Sequence, residues 1–280
     1  MIQWRNHEIE EIEVDLVLQA LKLRYGFDFT GYARASLKRR LREVQAYFDL
    51  RSLSALIPTL LQDERVAESV INNISVPVSE FFRDPPVWRY LREEVLPRLE
   101  SFPRINIWQP GCGRGQETYT LMILLHEAGL LSKTRLVATD INVAALDQAR
   151  AGRWPAREYE TWDAAYRAAG GQHALSDYLS KNGEEMRAVE FLRKAAEFIP
   201  HNLAIDDVFC ETQLIVCRNV MIYFAEALQK RVLDLFARSL QRGGYLLLGY
   251  SERLPLGCWE KDFKLVSESN VYRRIGDRHG

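Results

Sequence analysis

The chain has 280 residues, of which 47% are hydrophobic and 27% are charged, which is the composition of a globular protein with ample material for a packed core. Its formal net charge of -1 excludes a bulk electrostatic attraction to nucleic acid or to an anionic membrane. No apolar stretch approaches the roughly 20 residues that a membrane helix needs, so we expect neither nucleic acid binding nor direct membrane insertion.

The cysteines and histidines argue against a metal site. The four cysteines form no CxxC pair and the five histidines add no ligand cluster, so the spacing predicts no metal. The cysteines are Cys112, Cys210, Cys217 and Cys258. Cys217 ends an apolar run, which predicts a buried free thiol. Unpaired cysteines and an amino terminus without a basic-then-apolar signal pattern predict a cytoplasmic protein.

The first quarter of the chain has the apolar periodicity of helices. Two long helices are predicted over residues 14–25 and 32–48, and two shorter ones within 52–61 and 63–72. Gly26 is a plausible C-cap for the first of them. The segment 1–76 is therefore predicted to be an all-helical domain.

The composition changes at Pro77, and two further prolines follow at 85 and 86. Beyond them we predict, in order, a helix over 87–99, a strand over 104–109, a glycine-rich turn, a helix over 118–128, a strand over 134–140 and a helix over 143–151. This alternation is the opening of a doubly wound, Rossmann-like α/β sheet. We assign residues 77–280 to this second domain.

The carboxyl-terminal part continues the α/β pattern. We predict a buried parallel strand over 212–217, a helix over 225–240 closed by Gly243–Gly244, a strand over 245–249 and a last strand near 270–273. Residues 176–200 interrupt the pattern and are predicted to be a small inserted antiparallel β-subdomain, in which 186–191 pairs with 195–199.

The glycine-rich turn is Gly111-Cys112-Gly113-Arg114-Gly115. Glycines after a strand let the backbone approach a ligand and leave amides free at a helix start. The spacing is G-x-G-x-G rather than the G-x-G-x-x-G of dinucleotide enzymes; a ligand-free tight turn is the alternative. Asp140 ends the second strand, where an acid accepts from ribose hydroxyls or caps the following helix.

Several ordered motifs resemble the chemotaxis receptor glutamate methyltransferase (CheR) family over nearly the whole chain. The most specific is the run from Val216 to Phe224, VCRNVMIYF. The others are Ser79-Glu80-Phe81-Phe82-Arg83, His201-Asn202-Leu203, Tyr250-Ser251-Glu252, and the Gly111 loop with Glu117, Tyr119 and Thr120. The chain departs from the family at Gln116 (usually an acid), Thr118 (usually proline), Pro77 and Ser79 (commonly N-x-T) and Tyr250 (usually histidine).

The resemblance implies a site for S-adenosylmethionine, with S-adenosylhomocysteine as product. It places Ser79, Arg83 and Glu117 around the aminoacyl end, Asp140 at the ribose, Asn202 and Leu203 beside the adenine, and Arg218 and Asn219 at the sulfonium end. Taken singly, each has a structural alternative. Arg83 fits a surface salt bridge, Leu203 a core position and Asn219 a turn cap.

The implied reaction is methyl transfer to glutamate side chains of methyl-accepting receptors. A glutamate with a reference pKa of about 4.3 is already ionised at neutral pH, so neither a general base nor a metal is required. The candidate catalytic residues are Arg83 and Tyr223, with a packed strand-end aromatic as the alternative for Tyr223. Other classes that we considered are a small-molecule or nucleic-acid methyltransferase and a non-catalytic S-adenosylmethionine-binding signalling adaptor, which the departures at 77, 116 and 118 would suit.

The resemblance also implies a partner, the cytoplasmic helical region of bacterial methyl-accepting receptors. Arg39 and Arg42 lie in a basic run and are expected to share an exposed helix face that docks the acidic receptor, the alternative being a solvated face. We expect a monomer in the bacterial cytoplasm that is recruited to receptor arrays. Some family members grip a receptor tail with the β-subdomain; the short acidic stretch 180–185 predicts no such requirement here.

Overall fold

The structure is a computed structural model and describes residues 6–77, 79–208, 210–254 and 259–276. It divides into two compact units, one made of Met1–Val76 with Tyr223–Val232 and the other of Pro77–Ile222 with Leu233–Gly280. Cys258 lies outside the described residues. No described helix is long and apolar enough to cross a membrane.

The first unit is helical. Its helices are α1 (Asn6–Tyr25), α2 (Arg34–Tyr47), α3 (Leu56–Gln62) and α4 (Glu64–Ser75). Gly26 at φ 78° follows α1, where its amide donates to Lys22 O, as expected of a C-cap. Asp63 caps α4 by accepting from the amide of Arg65 at 2.9 Å.

The segment Tyr223–Val232 belongs to the helical unit although it lies far along the chain. The Ala33 amide donates to Tyr223 O at 2.7 Å, and the rings of Tyr32 and Phe224 meet edge to face at 4.9 Å. At Gly31 a Cβ would lie 2.9 Å from Leu228 Cδ2. Close packing therefore fixes this returning segment against the start of α2.

Acidic residues of α1 neutralise much of the positive charge of α2. Arg34 pairs with Glu11 and Asp15, and Lys38 also contacts Glu11. These two cations lower the pKa of Glu11 to about 2, with Lys38 the larger cause. Arg42 donates to both carboxylate oxygens of Glu10, at 2.5 and 2.8 Å.

The second unit has the remaining helices and the strands. Its first helical segment consists of α5 (Pro85–Tyr90), a π-helical turn (Leu91–Val95) and α6 (Leu96–Leu99). The next helices are α7 (Gln116–Glu127), α8 (Val143–Ala151), α9 (Tyr159–Ala168) and α10 (Glu190–Arg193). The long helix α11 (Glu226–Ser239) begins in the returning segment of the first unit, and its residues from Leu233 onward belong to the second unit. The strands are β1 (Ile105–Pro110), β2 (Thr134–Asp140), β3 (Arg153–Pro155), β4 (Leu179–Asn182), β5 (Glu185–Ala188), β6 (Ala196–Pro200), β7 (Thr212–Cys217), β8 (Leu240–Leu248), β9 (Phe263–Ser267) and β10 (Val271–Arg274).

Seven strands form one sheet in the order β6-β2-β1-β7-β8-β10-β9. The first five are parallel, and β10 and β9 are antiparallel. β7 is buried along its whole length, as predicted for a parallel strand covered on both faces. The predicted Rossmann-like sheet with a helical amino-terminal domain is confirmed.

The small antiparallel sheet has the order β3-β5-β4. Its presence was predicted, but the predicted pairing of 186–191 with 195–199 is wrong. Asn182 pairs with Glu185 across a two-residue turn, and Ala196–Pro200 instead pairs in parallel with β2. The buried Phe198 of β6 contacts Tyr119 of α7, which gives this segment an apolar reason to join the large sheet.

The helix α11 continues directly into β8, so Gly243 and Gly244 lie inside the strand and do not close the helix. At Gly244 a Cβ would lie 3.0 Å from the carbonyl oxygens of Gln213 and Gln241. Gly244 therefore allows a close backbone approach in the strand, whereas Gly243 has a left-handed backbone with φ 82°.

The parallel strands bring the motifs of the sequence to one edge. β1 ends at Pro110 before the glycine loop, β2 ends at Asp140, β6 ends before His201, and β7 ends at Cys217 before Arg218. The register pairs Pro110 with Thr139 and Asp140 with Pro200, so these carboxyl ends are level. Ligands of open α/β sheets bind at this edge.

Candidate active site

The glycine loop after β1 has room for backbone only. Gly111 has φ 71°, and a Cβ there would lie 2.3 Å from Val220 Cγ2. Gly115 has φ 87°, and a Cβ there would lie 2.7 Å from the Cβ of Ala149. Both positions require glycine because of left-handed backbone and close packing. The loop thus presents its amides at the start of α7, which suits a ligand with partial negative charge.

Asp140 holds this loop from the end of β2. Its Oδ2 accepts from the Gly113 amide at 2.8 Å, and its Oδ1 accepts from the Asn142 amide at 2.9 Å. Burial raises the pKa of Asp140, and these amide donors oppose the rise. The cap of α8 is Asn142, whose Oδ1 accepts from Ala145 at 3.0 Å. The alternative that Asp140 caps this helix is therefore wrong.

Two aromatic anchors set the position of Arg83. Phe81 packs edge to face on Trp154 with ring centroids 4.9 Å apart, and Phe82 packs on Tyr166 at 5.0 Å. Both phenylalanines are buried, whereas Arg83 is half-buried. The Arg83 side chain makes no hydrogen bond or ion pair to a described residue. Its guanidinium is consequently free to bind a ligand, and the salt-bridge alternative finds no partner within the described chain.

Arg218 connects three segments of the site. Its Nη1 donates to Glu117 Oε2 at 2.7 Å and to Arg83 O at 3.2 Å, and its Nη2 donates to Asp84 Oδ2 at 2.5 Å. The guanidinium also lies over the ring of Trp88, 5.2 Å from its centroid. Since the side chain is almost fully buried, these partners replace hydration at its two Nη atoms, while Nε has no hydrogen-bond partner among the described residues.

Glu117 lies in the first turn of α7 and completes the same network. Its Oε1 accepts from Gln109 Nε2 at 3.2 Å, and its amide donates to Ser79 Oγ at 3.2 Å. Burial raises the pKa of Glu117, while the charge of Arg218 lowers it. The structure thus brings together four of the candidate residues: Ser79, Arg83, Glu117 and Arg218.

Asn202 and Leu203 follow β6 at the same edge. The Asn202 Oδ1 accepts from the backbone amide of Ala204 at 2.9 Å. The backbone amide of Asn202 donates to Asp206 Oδ2 at 2.7 Å. Leu203 is only 7% exposed. The Asn202 side chain is therefore fixed by a local turn, and Leu203 offers a buried apolar surface next to it.

A cleft of about 680 Å³ adjoins this network on the side of β8 and β9. Arg218 and Asp84 line it, together with Tyr250, Arg253 and Glu268. Tyr250 is 73% exposed. Because Arg218 lines the cleft and also bonds to Glu117, a single guanidinium joins the cleft to the glycine-loop helix.

Three candidate residues lie in the other unit. Tyr223 is half-buried in a short 3-10 turn, and Arg39 and Arg42 are exposed on α2. Arg42 is paired with Glu10, whereas Arg39 has no ion pair with any residue in the described ranges. Arg39 and Arg42 therefore differ, because the charge of Arg42 is paired with Glu10 and that of Arg39 is not paired with any described residue.

Sequence reasoning did not single out Glu252. This buried carboxylate accepts from backbone amides of the loop after β7 and of the loop after β8. The sequence feature that could have indicated Glu252 is an acid within the Tyr250-Ser251-Glu252 motif. If such an acid is buried, it needs several hydrogen-bond donors.

The residues at this edge fit S-adenosylmethionine. Gln109 Oε1 and Gln116 Oε1 are buried without a hydrogen-bond partner in the described structure. Such acceptors suit an ammonium group like that of the aminoacyl end. Within the described residues, no group of three or more His, Cys, Asp or Glu side chains is placed to hold a metal ion.

Comparisons with known proteins identify the family of both domains. Residues 77–271 match the family model described as the CheR methyltransferase SAM binding domain, and residues 12–75 match that of the CheR methyltransferase all-alpha domain. A Pseudomonas putida protein named as methyltransferase Cher3 is 38% identical over 265 residues, which cover 94% of this chain and 97% of that protein.

Two further relatives carry chemotaxis names. The chemotaxis protein methyltransferase of Listeria innocua is 30% identical over 250 residues, covering 88% of this chain and 92% of that protein. Chemotaxis protein methyltransferase 1 of Vibrio cholerae is 31% identical over 241 residues, covering 82% and 84% respectively. The N-methyltransferase NodS from Bradyrhizobium japonicum, solved with S-adenosyl-L-homocysteine, is 14% identical with a TM-score of 0.34, covering 61% of this chain and 62% of that one; this value is too low to carry an argument.

The glycine loop after β1, the acid that ends β2 and the matched binding domain define an S-adenosylmethionine-binding methyltransferase on a Rossmann-like fold. The chain belongs to the CheR methyltransferase family. The family assignment made from the ordered motifs is confirmed.

Proposed function

We propose that this protein methylates glutamate side chains of methyl-accepting chemotaxis-type receptors, giving glutamyl methyl esters and S-adenosylhomocysteine. The observation that carries the proposal is the network in which Arg218 bonds to Glu117, to Asp84 and to the carbonyl of Arg83. It ties three motifs shared with chemotaxis methyltransferases into one site. The proposed place of action is the bacterial cytoplasm, at the helical region of the receptors.

The cofactor half of the proposal assigns a task to each group. Bound S-adenosylmethionine supplies an electrophilic methyl group on a sulfonium. Asp140 is the proposed acceptor for the ribose hydroxyls, and its carboxylate retains lone pairs beyond its two amide donors. Glu117 and the unpartnered Gln116 oxygen offer acceptors to the α-amino group. Asn202 and Leu203 provide a polar turn and an apolar surface for the adenine.

The acceptor half uses groups that the fold leaves free. A glutamate acceptor is ionised at neutral pH, so the protein must orient it and exclude water rather than remove a proton. The unpaired Arg83 guanidinium matches a carboxylate in geometry and keeps its charge. Tyr223 is the second proposed catalytic residue, as a hydroxyl donor to the incoming oxygen.

The cleft beside Arg218 is the proposed approach for the acceptor segment. It is lined by residues of β8, β9 and the turn between β9 and β10, whereas the glycine loop and Asp140 follow or end β1 and β2. Arg253 lines this cleft and has no ion pair with a described residue, so it is available to an acidic segment.

The test is methyl transfer from tritiated S-adenosylmethionine to receptor-containing membranes, followed by alkaline hydrolysis. Carboxyl methyl esters release volatile methanol in alkali, whereas N-methyl groups do not. Base-labile label on the receptor, absent when the target glutamates are changed to alanine, is the expected result. Cofactor binding in calorimetry without any transfer would instead support the signalling-adaptor alternative.

A further inference from the structure

The carboxylate of Glu252 gathers two loops of the site. Glu252 follows β8 and is 4% exposed. Its two oxygens accept from five backbone amides: Oε1 from Val220, Met221 and Ile222 at 2.9, 2.7 and 3.3 Å, and Oε2 from Asn219 and Gly249 at 2.7 Å each. Hydrogen bonds to an ionised acceptor are the stronger kind, so this single side chain restrains both loops.

The restrained loop has a conformation that it would not adopt freely. Asn219 has φ 59°, a left-handed backbone that non-glycine residues rarely take. At Gly249 a Cβ would lie 2.6 Å from Glu252 Oε2 and 2.8 Å from the Asn219 amide. The missing side chain at 249 thus allows the carboxylate to reach the Asn219 amide.

The loop after β8 is also fixed by hydrogen bonds from Asn270. Asn270 Nδ2 donates to the carbonyl oxygens of Gly249 and Tyr250, at 2.8 and 2.9 Å. Glu252 therefore points inward to the loop that carries Arg218 and Asn219, while Tyr250 and Arg253 line the cleft.

We propose that Glu252 is a positioning residue, which fixes the Arg218–Asn219 segment in its ligand-binding conformation. It acts through the backbone of that segment. This inference rests on the proposed function for the roles of Arg218 and Asn219 in the cofactor site. Its readout, binding of S-adenosylhomocysteine, needs no methyl acceptor.

The test compares Glu252→Gln with Glu127→Gln. The amide of Glu252→Gln turns one acceptor into a donor that faces backbone N–H groups. Glu127 is the matched control, a buried carboxylate at the opposite end of α7 that accepts from Arg92, Tyr166 and Tyr178. The helix α7 is 12 residues long, which places the control about 18 Å from the glycine loop.

Calorimetry with S-adenosylhomocysteine and thermal unfolding are measured on both variants. We expect Glu252→Gln to raise the Kd at least tenfold, and Glu127→Gln to leave it within twofold of wild type at a comparable fall in Tm. We also expect acetate to restore part of the affinity of Glu252→Ala, because the five amides still form an anion site, and to leave Glu127→Gln unchanged.

A Kd within twofold of wild type for Glu252→Gln would overturn the inference and leave Glu252 a residue of stability alone. If Gln and Ala at 252 give no folded protein, Glu252→Asp provides the same comparison, because its shorter side chain keeps the charge and cannot reach all five amides. A wild-type protein that binds the product but methylates no receptor would refute the proposed function and leave this binding test intact.

Discussion

Arg218 Nη1 and Glu117 Oε2 lie 2.7 Å apart in a buried ion pair that joins the end of β7 to the first turn of α7. Both side chains are almost excluded from solvent, so removal of one leaves the other poorly compensated. We expect Glu117→Ala to destabilise the protein by roughly 3–5 kcal/mol, toward the lower end because Asp84 still pairs with Arg218. Urea unfolding measures this difference.

The matched comparison is Asp84→Ala. The Asp84 side chain is 41% exposed, so solvent screens its pairing with Arg218 and the expected loss is at most about 1 kcal/mol. Equal losses for the two variants would show that the buried pair is not the stabilising contact.

Asp140 should control cofactor affinity. Asp140→Ala removes the proposed ribose acceptor and frees the Gly113 amide of the loop. We expect binding of S-adenosylmethionine to weaken by about 1–3 kcal/mol, the cost of a lost charged hydrogen bond. Calorimetry that shows unchanged affinity would remove the ribose assignment.

The pH dependence of binding has a definite sign. Burial raises the pKa of Asp140 above the ordinary value of about 3.9, and binding uses the ionised form. Affinity should therefore fall as the pH falls through this raised pKa, starting at a higher pH than an exposed aspartate would give. Asp140→Asn should reduce the dependence, with a remainder from Glu117, whose pKa burial also raises. Identical pH profiles for the two proteins would contradict this.

Arg83 should affect turnover more than cofactor binding. Its guanidinium has no partner in the described structure, so Arg83→Ala breaks no ion pair there. An orienting group acts chiefly in the transition state, so kcat should fall by about a hundredfold or more with the cofactor Kd within a few-fold of wild type. Arg83→Lys, which keeps the charge and loses the planar fork, should recover little. A proportional fall in kcat and cofactor affinity would make Arg83 a binding residue.

The succession of strands and helices that build the large sheet could largely be predicted from the sequence, because periodicity and the glycine turn define each βα step. The pairing of 196–200 could not. Residues 195–199 read as a short strand, but nothing in the local pattern distinguishes a hairpin partner from an edge strand of the large sheet. The contact of Phe198 with Tyr119 favours the edge strand of the large sheet, and this contact joins residues that are far apart in the chain.

Site residues that belong to a sequence motif could be predicted, but the hydrogen bonds and ion pairs between them could not. Arg218 and Glu117 were predicted separately and Asp84 was not predicted at all, because their shared hydrogen bonds depend on three segments that meet at one sheet edge. The spacing of α2 predicted exposed Arg39 and Arg42. The pairing of Arg42 with Glu10 depends on how α1 packs beside α2, which spacing within one helix cannot show.

That pairing sharpens the receptor-docking prediction. Arg39 has its charge free among the described residues, so Arg39→Glu should raise the KM for receptor without lowering stability. Arg42→Glu would face Glu10, so it should also weaken the α1–α2 pairing and lower Tm. The KM effect of Arg39→Glu should shrink in high salt because exposed charges are screened.

Lys181→Glu, which reverses an exposed charge in the other unit, is the matched control for Arg39→Glu. If Arg39→Glu and Lys181→Glu give the same KM as wild type, the exposed face of α2 is only solvated and does not dock the receptor.

The small sheet should not need a receptor tail peptide. Peptides of the tethering type would add a strand to an exposed sheet edge, and β4 offers an edge of only four residues. Its turn to β5 is two residues long, with Gly183 at φ 61° followed by Glu184, and Glu185 begins β5. The short turn provides no extra loop beside the edge, and the two acids repel an acidic peptide end.

We therefore expect no detectable calorimetric binding of a tryptophan-containing tether pentapeptide, and full activity on a receptor that lacks its carboxyl-terminal tail. The double variant Glu184→Lys with Glu185→Lys separates the two physical causes. If charge alone prevents binding, this variant gains affinity for the acidic peptide. If the short edge prevents binding, the variant still shows no detectable binding of the peptide. Low-micromolar binding by the wild type, lost when residues 180–185 are changed, would contradict the prediction, because it would show that four strand residues and a two-residue turn suffice for strand addition.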